Sequence, residues 1–215
     1  YDLQNFIKMR YLVNKTVQKE VEQVIKDGNE MALLDILQSF SLHDFAAYIY
    51  EQSNNPKDED LISHNHYDDN LFEKVLKTSK NTKFKCEFFT QIYRYSSARK
   101  AGFEKHQDIN NQYLTKMFNF LSKEDKLTLS SPDNIDKVIA YNISLKDNDV
   151  LKELIKLNTE NNLGLLKETA IFINYKLNEQ NSDANKNNSA ESKALIRKML
   201  ETAEKKQQSK SKLTV

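Results

Sequence analysis

Three glycines, two prolines, one cysteine and no tryptophan occur in 215 residues, and each scarcity removes a class of protein. Sandwiches and barrels turn roughly every eight to twelve residues, and parallel α/β folds need tight glycine loops near their ligands. Three glycines supply neither. Phosphate cradles need glycine too, because the backbone must approach the ligand closely. Nucleotide-dependent catalysis is therefore not expected, and the chain has no phosphate-binding glycine loop, zinc-type cysteine pair or nucleophile elbow. The single Cys86 cannot form an internal disulfide, which fits a cytoplasmic or other reducing compartment, a host cell's interior among them. No apolar run reaches the roughly 18–20 residues that span a bilayer. No signal peptide is visible, although a chain that starts at Tyr1 rather than Met leaves open what precedes it. Charge of one sign is also lacking. Thirty-two Lys and Arg against 31 Asp and Glu leave a formal net charge of +1, so attraction to nucleic acid or membrane has to come from local patches.

What is present points to helix. Leu3, Phe6, Ile7, Val13, Val17, Val21, Val24 and Ile25 follow steps of three, four and seven, and Gly28 stands where a left-handed cap would close that helix. Asn29 can cap a second helix carrying Leu33, Leu34, Ile36, Leu37 and Phe40. Ser41 with Asp44 starts a third with Phe45, Ala46, Tyr48 and Ile49. After a polar loop over 53–67, Asp68 or Asp69 caps a short helix with Leu71, Phe72, Val75 and Leu76. The next, over 82–101, is aromatic-rich, and Gly102 follows it. A helix from about Asp108 carries Leu114, Met117, Phe118 and Leu121. Ser131-Pro132-Asp133 is a capping hydroxyl, a proline at the first helical position and an acid in the first turn, ahead of Ile135, Val138, Ile139 and Ile143. Asp147 or Asn148 opens the next helix (Val150, Leu151, Leu154, Ile155). Asn161 or Asn162 opens another, with Leu165, Leu166, Ala170, Ile173 and Tyr175 or Leu177 on its buried side.

The expected fold is all-α, an irregular α-solenoid or multi-helix bundle of antiparallel helical hairpins with a C-terminal amphipathic helix. The helical body covers 1–178. Residues 179–189, dominated by Asn, Ser, Asp and Lys, read as a polar linker. Residues 190–215 form a basic amphipathic helix and tail, with Leu195, Ile196, Met199, Leu200 and Ala203 on one face.

Two resemblances arise from short motifs. Val24-Ile25-Lys26-Asp27-Gly28-Asn29 followed by Leu33, Ile36 and Leu37 resembles the middle of an ankyrin repeat, and Lys146-Asp147-Asn148 followed by Leu151, Leu154 and Ile155 echoes it without the glycine. The resemblance implies a stacked surface for binding another protein, but the Thr-Pro-Leu-His start is absent and no period near 33 residues runs through the chain. His64-Asn65-His66-Tyr67-Asp68-Asp69 resembles the H-x-H-x-D-H metal motif of the metallo-β-lactamase hydrolases. That resemblance implies His64 and His66 as first-metal ligands and Asp68 as a second-metal ligand, with the metal activating water. Asp69 stands where the family has histidine, that family is a glycine-rich β-sandwich, and only His106 remains downstream.

Two stretches could bind larger partners. Lys74, Lys77, Lys80, Lys83, Lys85, Arg94, Arg99, Lys100 and Lys105 face only Glu87 and Glu104. Phe84, Phe88, Phe89, Tyr93, Tyr95 and Phe103 interleave with them and could stack on bases. The competing reading makes the aromatics core and the cations a solvated face, and the spacing of Phe84, Phe88 and Ile92 favours it. At the C-terminus, Arg197, Lys198, Lys205, Lys206, Lys210 and Lys212 oppose Glu201 and Glu204 beside a short apolar face. This segment suits an anionic membrane, a partner's groove or its own body, and its end, Leu213-Thr214-Val215, a carboxylate-binding groove. Cys86 reads as a small core residue and His43 as a surface or capping residue.

The functional expectation is a non-catalytic protein–protein interaction module, a helical scaffold or adaptor whose partner is another protein. No cofactor and no catalytic, cofactor-binding or metal residue is assigned, and the sequence locates neither the binding surface nor the oligomeric state. The alternatives are a nucleic-acid-binding helical protein using 74–105 and a metal-dependent hydrolase acting through His64, His66 and Asp68.

Overall fold

The computed structural model describes Gln23, Asp27 and residues 71–97, 107–139 and 143–213. The helices expected over 3–25, 29–40 and 41–49, and the loop over 53–67, lie outside the described residues. Among the described residues every regular element is an α-helix and no strand occurs. In chain order there are nine: α1 (Leu71–Thr78), α2 (Thr82–Ser97), α3 (Gln107–Asn119), α4 (Lys123–Leu129), α5 (Pro132–Ile139), α6 (Asp149–Glu160), α7 (Lys167–Asn178), α8 (Asp183–Asn187) and α9 (Ala190–Lys212). No helix among them is long and apolar enough to cross a membrane.

Local sequence sets most of the starts. Pro132 begins α5, where its missing N–H costs nothing, and Ile135, Val138 and Ile139 bury one face. Asn148 caps α6 by accepting from the Leu151 N–H at 3.2 Å, while its amide donates to the Tyr93 hydroxyl at 2.7 Å. One residue thus starts a helix and ties it to α2. The seven-residue α4 is missing from the apolar periodicity. It is specified instead by a capping box, in which the Ser122 hydroxyl accepts from the Asp125 N–H and the Asp125 carboxylate accepts from the Ser122 N–H, with Asp in the place usually held by Glu or Gln.

Helix α6 is the centre. It packs against α3, α4, α5 and α9, while α2 packs against α3, α4 and α5. Repeat arrays restrict each unit to its sequence neighbours; here helices distant in sequence meet, which is bundle packing. Asn161 and Asn162, expected to open a helix, close α6. Asn162 adopts the left-handed conformation (φ 50°), and the N–H groups of Leu163 and Asn162 return to the carbonyls of Asn158 and Thr159 at 3.0 and 3.2 Å. This is the Schellman arrangement, with Asn in the position glycine usually takes. Helix α7 starts after Leu166. Its buried stripe is Thr169, Ile173 and Leu177, so of the two candidates Leu177 takes the core position and Tyr175 faces out.

The segment read as a linker is packed. Asn188 is buried, its side-chain oxygen accepting from the Leu145 N–H at 2.7 Å and its amide donating to the carbonyls of Ile143 (2.9 Å) and Ala184 (2.7 Å). Ser182 caps α8 and donates to the Lys176 carbonyl. Low hydrophobicity was a sound reason to expect little apolar burial, but here hydrogen bonds hold the chain. From Asn188 onward α9 runs alongside α6 in the same direction, burying Ile196, Met199, Leu200 and Ala203. At the far end the Lys206 ammonium donates to the carbonyls of Asn162 and Leu163, both at 2.8 Å. A cation there also complements the negative end of the α6 dipole. Gly164 (φ +86°) leaves room for that lysine, since a Cβ would sit 3.2 Å from its Cδ.

The Asn188→Ala variant strands two buried carbonyls and one N–H, and should destabilise the protein by about 3 kcal/mol. Urea denaturation checks this; a loss below about 1 kcal/mol would show that other groups replace those bonds.

Candidate functional site

His64, His66, Asp68, Asp69 and His106 lie outside the described residues, as does His43. Among the described residues no group of three His, Cys, Asp or Glu side chains is placed to hold a metal ion. The basic aromatic stretch is described in part. Phe84, Phe88, Phe89 and Tyr93 are fully buried. Phe84 stacks on Phe88 with ring centroids 5.8 Å apart, and Phe89 meets Phe118 at the same distance. These four rings belong to the core and present no face to a base. Lys77 is bonded to Glu73 at 2.6 Å and lies over the Phe120 ring at 4.5 Å, while Lys80 and Lys83 are exposed. Arg99, Lys100, Phe103 and Lys105 lie outside the described residues, and the side chains of Lys74, Arg94 and Tyr95 are not described.

Lys85, counted among the cations of a solvated face, is instead buried against Asp125. Its ammonium donates to one carboxylate oxygen at 2.6 Å, to which the Ser122 N–H also donates at 2.9 Å, and the Thr82 hydroxyl donates to the other at 2.8 Å. Burial pushes the Asp125 carboxyl up, but the bonds from Lys85, Ser122 and Thr82 outweigh it and hold the group below its ordinary value of 3.8. The carboxylate is thus a satisfied joint between the start of α2 and the cap of α4, with no face for a substrate. Cys86 donates to the Asp125 carbonyl at 3.3 Å. Burial, reinforced by the Asp125 charge, pushes its thiol up to about 12, far from the thiolate a nucleophile needs.

A further surface of the described residues is formed by α7 and α9. Helix α7 runs back from the Lys206 end of α9 toward Asn188, so the two are antiparallel. Between them lies an open cleft of about 470 Å³. Its lining is mixed: Ala170, Leu177, Leu200 and Ala203 are apolar, Asn174, Asn178 and Gln207 are polar, and Lys167, Arg197, Glu201 and Glu204 contribute two charges of each sign. Ile171 lines it, and Tyr175 stands one turn further along α7; they are 59% and 61% exposed. Apart from Leu213 on the terminal turn of α9 (87%), they are the large apolar side chains that the described body leaves most open. The α7 outer face was not singled out from sequence, because Ile171 carries no mark distinguishing it from a core isoleucine. Its only signal is register, since a stripe through Thr169, Ile173 and Leu177 turns Ile171 and Tyr175 outward. Of the cations expected on the terminal helix, Arg197, Lys198, Lys205, Lys210 and Lys212 are exposed and Lys206 is engaged with α6.

Comparison with protein-family models, curated proteins and solved structures finds no match for this chain.

Two outcomes follow from the buried joint. A carboxyl held below 3.8 contributes stability that is fully present above that value and is lost as pH falls through its lower folded value. Asp125→Asn should cost about 3 kcal/mol at pH 7, and the gap to wild type should narrow on acidification. Urea midpoints between pH 7 and 2 test this, and parallel curves would refute it. Cys86 should resist a thiol reagent at pH 8 in the native protein and react once urea unfolds it; rapid native labelling would contradict its place in the core.

Proposed function

We propose that this chain is a non-catalytic protein–protein interaction module, with the outer face of α7 and the α7–α9 cleft as its docking surface. The observation that carries the reading is the exposed pair Ile171 and Tyr175 on the outer face of α7, with Ile171 on the wall of a cleft of mixed polar and apolar lining. Solvent-facing aromatic and aliphatic anchors one turn apart on a helix are what helix-in-groove recognition uses. Asp125 and Cys86, a carboxylate and a thiol shifted by their buried surroundings, sit in the core and serve packing, which supports a binding role over catalysis. Nucleic-acid binding through 74–105 is the weaker alternative, because Phe84, Phe88, Phe89 and Tyr93 offer no stacking platform. The hydrolase alternative rests on His64, His66 and Asp68 alone.

A photo-crosslinking residue at position 171, with a control at exposed Lys137, tests the surface in cells. Protein adducts, to other chains or to copies of this one, are expected from 171 and not from 137. Equal yields at both positions, or none at 171, would remove the reading.

A further inference from the structure

We draw no further inference here: the strongest candidate, the outer face of α7 with exposed Ile171 and Tyr175 beside the α7–α9 cleft, belongs to the surface already described, and nothing among the described residues shows what covers it.

Discussion

Helix α6 has more apolar surface than any one neighbour can cover. Its buried residues, Val150, Leu151, Leu154, Ile155, Asn158 and Thr159, sweep about half the circumference at the helical angle of 100° per residue. A helix with one narrow stripe is satisfied by one partner. This one needs partners on several sides, which is why α3, α4, α5 and α9 all converge on it. The requirement turns a chain of short helices into a bundle, and it explains why α9 must return to lie against a segment some 40 positions earlier in the chain.

Holding that return in register falls to polar groups, and the composition supplies them. Asparagine and lysine are abundant, and in a surface loop they would only be solvated. Asn188 and Lys206 instead work at opposite ends of the α6–α9 pair, Asn188 satisfying the backbone at Ile143 and Leu145 and Lys206 taking the carbonyls at Asn162 and Leu163. Asp125 does the same for α2 and α4. Apolar packing alone tolerates sliding of one helix along another. Directional bonds at both ends do not, because a shift strands buried donors and acceptors.

Legibility in the sequence follows from which interactions are local. The α5 start at Pro132, Asn148 as one of the two caps offered for α6, and the stripes of α6 and α9 depend on residues within a turn of one another, and they read correctly. Ile143, expected on the α5 stripe, instead lies beyond the helix end at Ile139. Helix α4 escaped notice because seven residues with few apolar positions carry almost no periodicity, although Ser122 and Asp125 spelled out its cap. Asn161 and Asn162 were ambiguous because asparagine serves both as an N-cap and in the left-handed C-terminal position; only the returning N–H groups decide. The 179–189 stretch misled because composition measures what a segment can bury, whereas Asn188 bonds to partners 43 and 45 residues away. Lys85 looked like one more surface cation for the same reason, its carboxylate lying 40 residues on. The α7–α9 surface was the least legible feature, since the exposure of Ile171 is set by where neighbouring helices stop.

The proposed docking role of that surface would also depend on the clamps around it. Binding costs affinity when a docking element must first be ordered. Helix α7 is anchored at its start beside Gly164 and Lys206, along its length by the hydrogen bond from the Thr169 hydroxyl to Asp136 on α5, and near its end by the Ser182 hydroxyl on the Lys176 carbonyl. Ile173 and Leu177 fix its rotation by facing the core. Ile171 and Tyr175 therefore project from a helix whose position and roll are already set, and only their own rotamers remain to be restricted. An exposed isoleucine on a loosely held helix would pack poorly and bind weakly. Here the polar bonds that register the bundle also fix the position of that face, so the proposed recognition would draw on the same residues as the structural constraint.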